Sequence, residues 1–131
     1  MKTLIVEDDF TSRLLLQKLL ERYGECHIAV NGKEAMEAVR TSMEYGGTYN
    51  LICLDIMMPE MDGQQALRQI RALEEAEGTI SSNGAKIVMT TARDDVKTVV
   101  AVYRELCDGY LVKPIDQTRL VGLLKELKLI E

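Results

Sequence analysis

Five times along this chain of 131 residues, a short β-prone apolar run gives way to a stretch whose apolar positions recur at helical spacing. The strand segments are Thr3 to Val6, Cys26 to Val30, Leu51 to Asp55, Lys86 to Thr90 and Tyr110 to Val112. The helical segments carry Leu14, Leu15, Leu19 and Leu20 between Phe10 and Arg22, then Met36, Val39 and Met43, then Ala66, Leu67, Ile70 and Leu73 after Gly63. Two more follow, with Val96, Val99, Val100 and Tyr103 between Asp94 and Leu106, and with Leu120, Leu123, Leu124 and Leu127 at the end. Strands alternating with single helices need right-handed crossovers, which lay the strands parallel and cover both faces of the sheet. The predicted fold is α/β: a doubly wound five-stranded parallel sheet with five helices in three α/β/α layers. A single domain over residues 1–131 is expected, and at 47% hydrophobic it can bury a core without staples.

The punctuation agrees with that division. Gly24 is expected to stop the first helix, and Asn31-Gly32-Lys33-Glu34 reads as a capping box opening the second, which Gly46-Gly47 ends. Residues 78–84, with Thr79, Ser81, Ser82 and Asn83, form the most loop-like segment. Lys113-Pro114 breaks the chain before a last helix that Asp116 can cap.

Charge and cysteine content exclude several function classes. The net charge is −5 and the 16 basic residues form no run, so direct nucleic-acid binding is not expected. Cys26, Cys53 and Cys107 have no metal-ligand spacing and read as reduced core thiols. Leu4-Ile5-Val6 is too short for a signal-peptide core and no apolar run could span a bilayer, so a cytoplasmic protein without membrane insertion is expected. His27 stands alone and reads as a solvated or core residue without a partner.

The chemistry collects at the carboxyl ends of the strands, the edge where open α/β sheets bind ligands. Leu51 to Leu54 is apolar without alternation, a strand buried on both faces, and Asp55 closes it. Glu7, Asp8 and Asp9 end the first strand, Thr91 the fourth, and Lys113 follows the fifth. Two carboxylates about 4 Å apart repel by roughly 4 kcal/mol at an effective dielectric near 20, so the acidic cluster wants a cation. Oxygen ligands without His or Cys point to a hard ion, with Mg2+ the best fit. A divalent metal, a lysine, a threonine hydroxyl and a carboxylate nucleophile together suit phosphoryl transfer to Asp55. In the loop behind it, Pro59 withholds a donor and Gly63 is expected to adopt a backbone conformation closed to other residues. Asp62 reads as a turn residue, and Met57, Met58 and Met61 as loop anchors packed on the core.

Glu7-Asp8, Asp55-x-x-Met58-Pro59-x-Met61-Asp62-Gly63, Thr91-Ala92 and Tyr110-x-x-Lys113-Pro114 together resemble the response-regulator receiver domain of bacterial two-component signalling, over essentially the entire chain. The resemblance implies a flavodoxin-like strand order of 2-1-3-4-5. It implies Asp55 as phosphoacceptor, Mg2+ on Asp8, Asp55 and the backbone carbonyl of Met57, and Glu7 acting through a metal-bound water. Thr91 and Lys113 would hold the phosphoryl oxygens, Tyr110 would be an aromatic switch, and the Lys113-Pro114 bond would be cis. Arg13 lies at the family's usual distance when Glu7 and Asp8 are the metal pair, which assigns Asp9 to the flanking loop. The chain departs from the family pattern at Leu106-Cys107-Asp108-Gly109, where small residues are usual, and the end of the fourth helix is the element this touches. The implied partners are a histidine kinase or histidine phosphotransfer protein and a downstream protein target, with room for a phosphorylation-dependent dimer. Output is expected through the fourth helix, fifth strand and fifth helix.

Three other functions compete on the same residues. A phosphohydrolase of the haloacid-dehalogenase kind needs a second Asp where Met57 stands. A flavin carrier on this fold wants a Ser/Thr/Gly-rich phosphate loop after the first strand, where Glu7-Asp8-Asp9 would repel phosphate. A degenerate receiver is disfavoured because every chemical position is filled.

Overall fold

The computed structural model describes residues 1–58, 63–78, 84–98, 100–101 and 106–131. Parallel strands β1 (Lys2–Val6), β2 (Glu25–Ala29), β3 (Leu51–Asp55), β4 (Lys86–Thr91) and β5 (Gly109–Val112) form a sheet of order β2-β1-β3-β4-β5. Helices α1 (Phe10–Leu20), α2 (Gly32–Glu44), α3 (Gly63–Ala76), α4 (Val96–Thr98) and α5 (Gln117–Glu126) alternate with the strands. The predicted fold and strand order are therefore present. The fourth helix opens on a 3-10 turn at Arg93–Asp95 and continues into α4, whose described residues are Val96–Thr98. Its expected Val99 and Tyr103 lie outside the described residues, as do Pro59, Met61, Asp62 and the loop residues Thr79, Ser81, Ser82 and Asn83.

The apolar runs lack polar alternation because successive side chains of each inner strand enter two different cores. Leu4, Val6, Ile52, Leu54, Ile87 and Met89 pack with α2 and α3. Ile5, Leu51, Cys53, Val88 and Leu111 pack with Leu16 and Leu20 of α1 and Leu120 and Leu124 of α5. Each such fully buried aliphatic side chain contributes about 1.5–3 kcal/mol. The sequence reading of α1 needs correction. Leu14 and Leu15 are exposed and the i,i+4 pair Leu16 and Leu20 faces the sheet, because only that stripe lies over Ile5 and Cys53.

Local signals set the helix ends. Asn31 accepts the Glu34 amide at 2.8 Å, and Glu34 reaches back to the amide of Val30, one residue earlier than a standard capping box, at 2.9 Å. Asp116 accepts the Thr118 amide at 2.9 Å and opens α5. A 3-10 turn at Glu21–Tyr23 follows α1, and it is this turn that Gly24 ends, at φ +147° beside Met1. His27 does have partners: its Nδ1 lies 2.7 Å from the Tyr49 hydroxyl and its Nε2 3.4 Å from Glu25. The three cysteines are free, and burial pushes the Cys53 thiol up to about 12.

Candidate functional site

The sheet order reverses direction between β1 and β3, opening a crevice at their carboxyl ends where ligands bind in such sheets. The in-register ladder pairs Ile5 with Cys53 and Val6 with Leu54, so the next step sets Glu7 beside Asp55. Glu7, Asp8 and Asp55 each place a carboxylate oxygen within 4.8 Å of the others. Lys113, arriving from the end of β5, puts its Nζ 2.7 Å from Glu7 Oε1 and 3.2 Å from Asp55 Oδ1. The lysine thus spans the two buried carboxylates and leaves Asp8 exposed at the rim.

Backbone contacts hold this group rigid. The Glu7 amide donates to Ala29 O at 3.0 Å, its Oε2 accepts the Asp9 amide at 3.1 Å, and Arg13 Nη1 donates to Glu7 O at 3.2 Å. Asp9 is exposed and acts as the N-cap of α1, accepting the Ser12 amide at 2.8 Å. The hydrogen bonds from Ser12 first, then the charges of Lys113 and Arg13, hold the Asp9 carboxyl below its usual range. Glu7 and Asp8 thus meet Asp55 at the crevice, and Asp9, expected in the flanking loop, is the N-cap of α1.

Asp55 is 4% exposed. Burial first, then the hydrogen bond and negative charge of Glu7, raise its pKa to about 7, against the opposing pull of Lys113. Lys113 is itself held above its ordinary value: burial alone would lower it, and its bonds to Glu7 and the charge of Asp55 outweigh that. The Met57 amide donates to Asp55 Oδ1 at 3.3 Å. Met58 is buried as an anchor should be, but the Met57 side chain is 70% exposed and anchors nothing. Gly63 also differs from expectation. Its φ is not positive, and the glycine is required instead by close approach, since a Cβ there would lie 2.3 Å from Asp55 O.

Thr91 is buried at the end of β4 and donates to Ala92 O at 3.1 Å. The register neighbour of Asp55 is Thr90, which shares the β3 face of Val88 and Cys53, and whose buried Oγ1 has no partner among the described residues. Thr90 is not among the residues expected in the site, although the doublet Thr90-Thr91 closes this strand in the sequence. Tyr110 is 39% exposed on β5, and Lys113-Pro114 is cis. Glu7, Asp8, Asp55 and Lys113 are thus brought together, whereas the strand register sets Thr91 and Tyr110 on the other face of the sheet from Asp55.

Comparison with known proteins gives the family and the fold. The family model described as response regulator receiver domain matches residues 3–125. The transcriptional regulatory protein PcoR of Escherichia coli is 33% identical over 127 residues, covering 96% of this chain and 50% of that protein. The transcriptional regulatory protein SrrA of Staphylococcus aureus is 36% identical over 125 residues, covering 95% and 46%. The chain therefore spans half or less of the length of these relatives. Among solved structures, a CheY-like response regulator receiver domain protein from Methanospirillum hungatei superposes with a TM-score of 0.75 at 25% identity, covering 95% of this chain and 90% of that one. The receiver domain of NtrX from Brucella abortus gives 0.78 at 22% identity, covering 96% and 98%, a likeness of fold.

Proposed function

The chain belongs to the response-regulator receiver family of two-component signalling, and from that membership we propose that it accepts a phosphoryl group on Asp55 and signals by changing its protein contacts. The observation that carries this reading is the placement of Lys113 Nζ between Glu7 and Asp55, at 2.7 and 3.2 Å, beside the exposed carboxylate of Asp8. A nucleophilic carboxylate, a fixed cation and an acidic rim are what an acyl phosphate needs. An Asp55 oxygen forms the new bond to phosphorus while the phosphorus–nitrogen bond of a donor phosphohistidine breaks and the imidazole leaves with that electron pair. The donor is a histidine kinase or a histidine phosphotransfer protein.

The donor set fits Mg2+: carboxylate oxygens of Glu7, Asp8 and Asp55 within 4.8 Å and no sulfur or imidazole among them. In this reading Asp8, Asp55 and the Met57 carbonyl would hold the ion, and Glu7 would act through a metal-bound water. When bound, the ion supplies charge neutralisation for the phosphoryl oxygens. Lys113 shifts its ion pair from the Asp55 carboxylate to a phosphoryl oxygen, and the Thr91 hydroxyl exchanges the Ala92 carbonyl for another. Output then passes through α4, β5 and α5 to a protein target, or to a second copy of the chain.

The proposed unit is one receiver domain over residues 1–131, a signalling protein that turns over no substrate beyond its own phosphoryl group. No helix among the described residues is long and apolar enough to cross a membrane, and a cytoplasmic site of action is part of the proposal. PcoR and SrrA are named for transcription. Here the scattered basic residues offer no nucleic-acid footprint, so the proposed contact is protein. Mass spectrometry after incubation with acetyl phosphate and Mg2+ tests the reading. One phosphoryl group, labile to hydroxylamine and absent from Asp55→Asn, is expected; incorporation by the variant at the wild-type level would refute it.

A further inference from the structure

The departure at Leu106-Cys107-Asp108-Gly109 has a counterpart on α3. Arg71 is buried on the sheet side of that helix, where a charged group persists only if paired. Its Nε donates to Leu106 O at 2.8 Å, its Nη1 to Glu74 Oε1 at 2.7 Å and Ala85 O at 2.8 Å, and its Nη2 to Asp108 Oδ2 at 2.9 Å. The carboxylates are used a second time. Glu74 Oε2 accepts the Ala85 amide and Asp108 Oδ2 the Ile87 amide, each at 2.8 Å, and Lys86 Nζ stands 4.0 Å from Asp108 Oδ1. Two cations face two carboxylates, and four donor bonds of Arg71 and both oxygens of Glu74 end on backbone or on another member.

These bonds join three elements that the sheet ladder ties only weakly. The β5 strand has four residues and is an edge strand, so one neighbour alone constrains its start. The guanidinium adds α3 to that constraint by holding the carbonyl of Leu106 and the side chain of Asp108, just before Gly109 and Tyr110. The room for it is built in, since a Cβ on Gly84 would sit 2.3 Å from Glu74 Oε2.

We propose that Arg71, Glu74 and Asp108 form an electrostatic clasp that pins the base of β5 to α3, so that rearrangement of the output face hinges at Leu106 and leaves Asp108 and Gly109 in place. The anchoring stands on the contacts alone; the link to output rests on the receiver reading above. The planar fork of Arg71 meets four acceptors in three directions, which a lysine cannot do, and that separates the clasp from a simple buried ion pair.

Residue-by-residue amide hydrogen exchange on the full chain, with and without Mg2+ and beryllofluoride as phosphoryl mimic, tests both parts. Without the mimic, Asp108→Ala should exchange at least about tenfold faster at the Ile87 and Asp108 amides, while Leu4 and Ile5 in β1 keep their protection. Arg71→Lys, which keeps the charge and loses the fork, should do the same and serves if Asp108→Ala does not fold. Wild-type exchange at those amides in both variants would overturn the clasp. With the mimic, wild-type protein should change exchange in residues 93–101 and leave the Ile87 and Asp108 amides as they were; equal change in both groups would overturn the hinge. If the mimic alters nothing around Asp55, the receiver reading fails instead, and the clasp is judged on the mimic-free comparison.

Discussion

Asp55 is buried at the end of a strand without a neutralising partner of its own, because Lys113 is shared with Glu7. Its pKa near 7 in the folded chain, against 3.8 for an ordinary Asp, fixes a pH dependence. Between those two values the folded state keeps a proton that the unfolded state has released, so this group lowers stability as pH rises through the window, with no further effect above it. Asp55→Asn removes the titration. In buffer with EDTA, the stability of the variant over wild type should widen from pH 5 to pH 7 and stay level by pH 8, measured by urea unfolding; a gap independent of pH would show that Asp55 is not shifted. Thr90 offers a second test beside it. A buried hydroxyl with no partner costs about 1–3 kcal/mol, and valine has the same shape without that cost. Thr90→Val should therefore raise the unfolding free energy by about 1 kcal/mol, whereas a loss would mean that the hydroxyl has a partner such as a bound water.

At the scale of elements, the acidic run after β1 serves two ends. Asp9 caps α1 through the Ser12 amide, while Asp8 faces Asp55. Asp9→Ala should lower the melting temperature and leave Mg2+ affinity near wild type, and Asp8→Ala should do the reverse, as calorimetry of both variants will report. Loss of Mg2+ affinity in Asp9→Ala alone would shift the metal register by one residue. The pairing of Glu7 with Asp8 was legible in the sequence because strand ends and spacings are local, whereas the expectation for Asp9 was the flanking loop and not a cap. The strands, the capping residues Asn31 and Asp116 and the convergence of Glu7, Asp55 and Lys113 were legible for the same reason, each following from spacing or from strand order. What escaped was tertiary. The buried stripe of α1 depends on where Ile5 and Cys53 sit, the need for Gly63 on the nearness of Asp55 O, and the burial of Arg71 on partners 35 and 37 residues away. An Arg three residues before a Glu on a helix reads as a solvated pair until the fold places Asp108 above it.

On the scale of the whole molecule, the two faces of the sheet divide the labour. Glu7, Asp55, Thr90 and Lys113 belong to the face covered by α1 and α5, since Ile5, Cys53, Val88 and Leu111 precede them by two residues on that side. Thr91 and Tyr110 belong to the other face. Tyr110 pairs with Met89, and Thr91 is the next residue of β4 on that side, its diagonal neighbour across the parallel pair. On the proposed reading a signal from Asp55 would cross from one face to the other, and Thr91, adjacent in chain to Thr90 and on the face of Tyr110, is the proposed crossing point. In the present state its hydroxyl is bonded to Ala92 O and the Tyr110 ring is partly in solvent. Drawing the hydroxyl toward a phosphoryl group on Asp55 frees space that an inward Tyr110 ring can fill, which biases an existing two-state equilibrium. Beryllofluoride with Mg2+ should shift the amide resonances of Asp55 to Met57, of Thr91 and of Tyr110 in the wild-type chain. In Thr91→Ala the shifts around Asp55 should persist while that of Tyr110 falls to a small fraction of its wild-type size. A full Tyr110 shift in the variant would mean that the signal reaches β5 by Lys113 and not by the threonine.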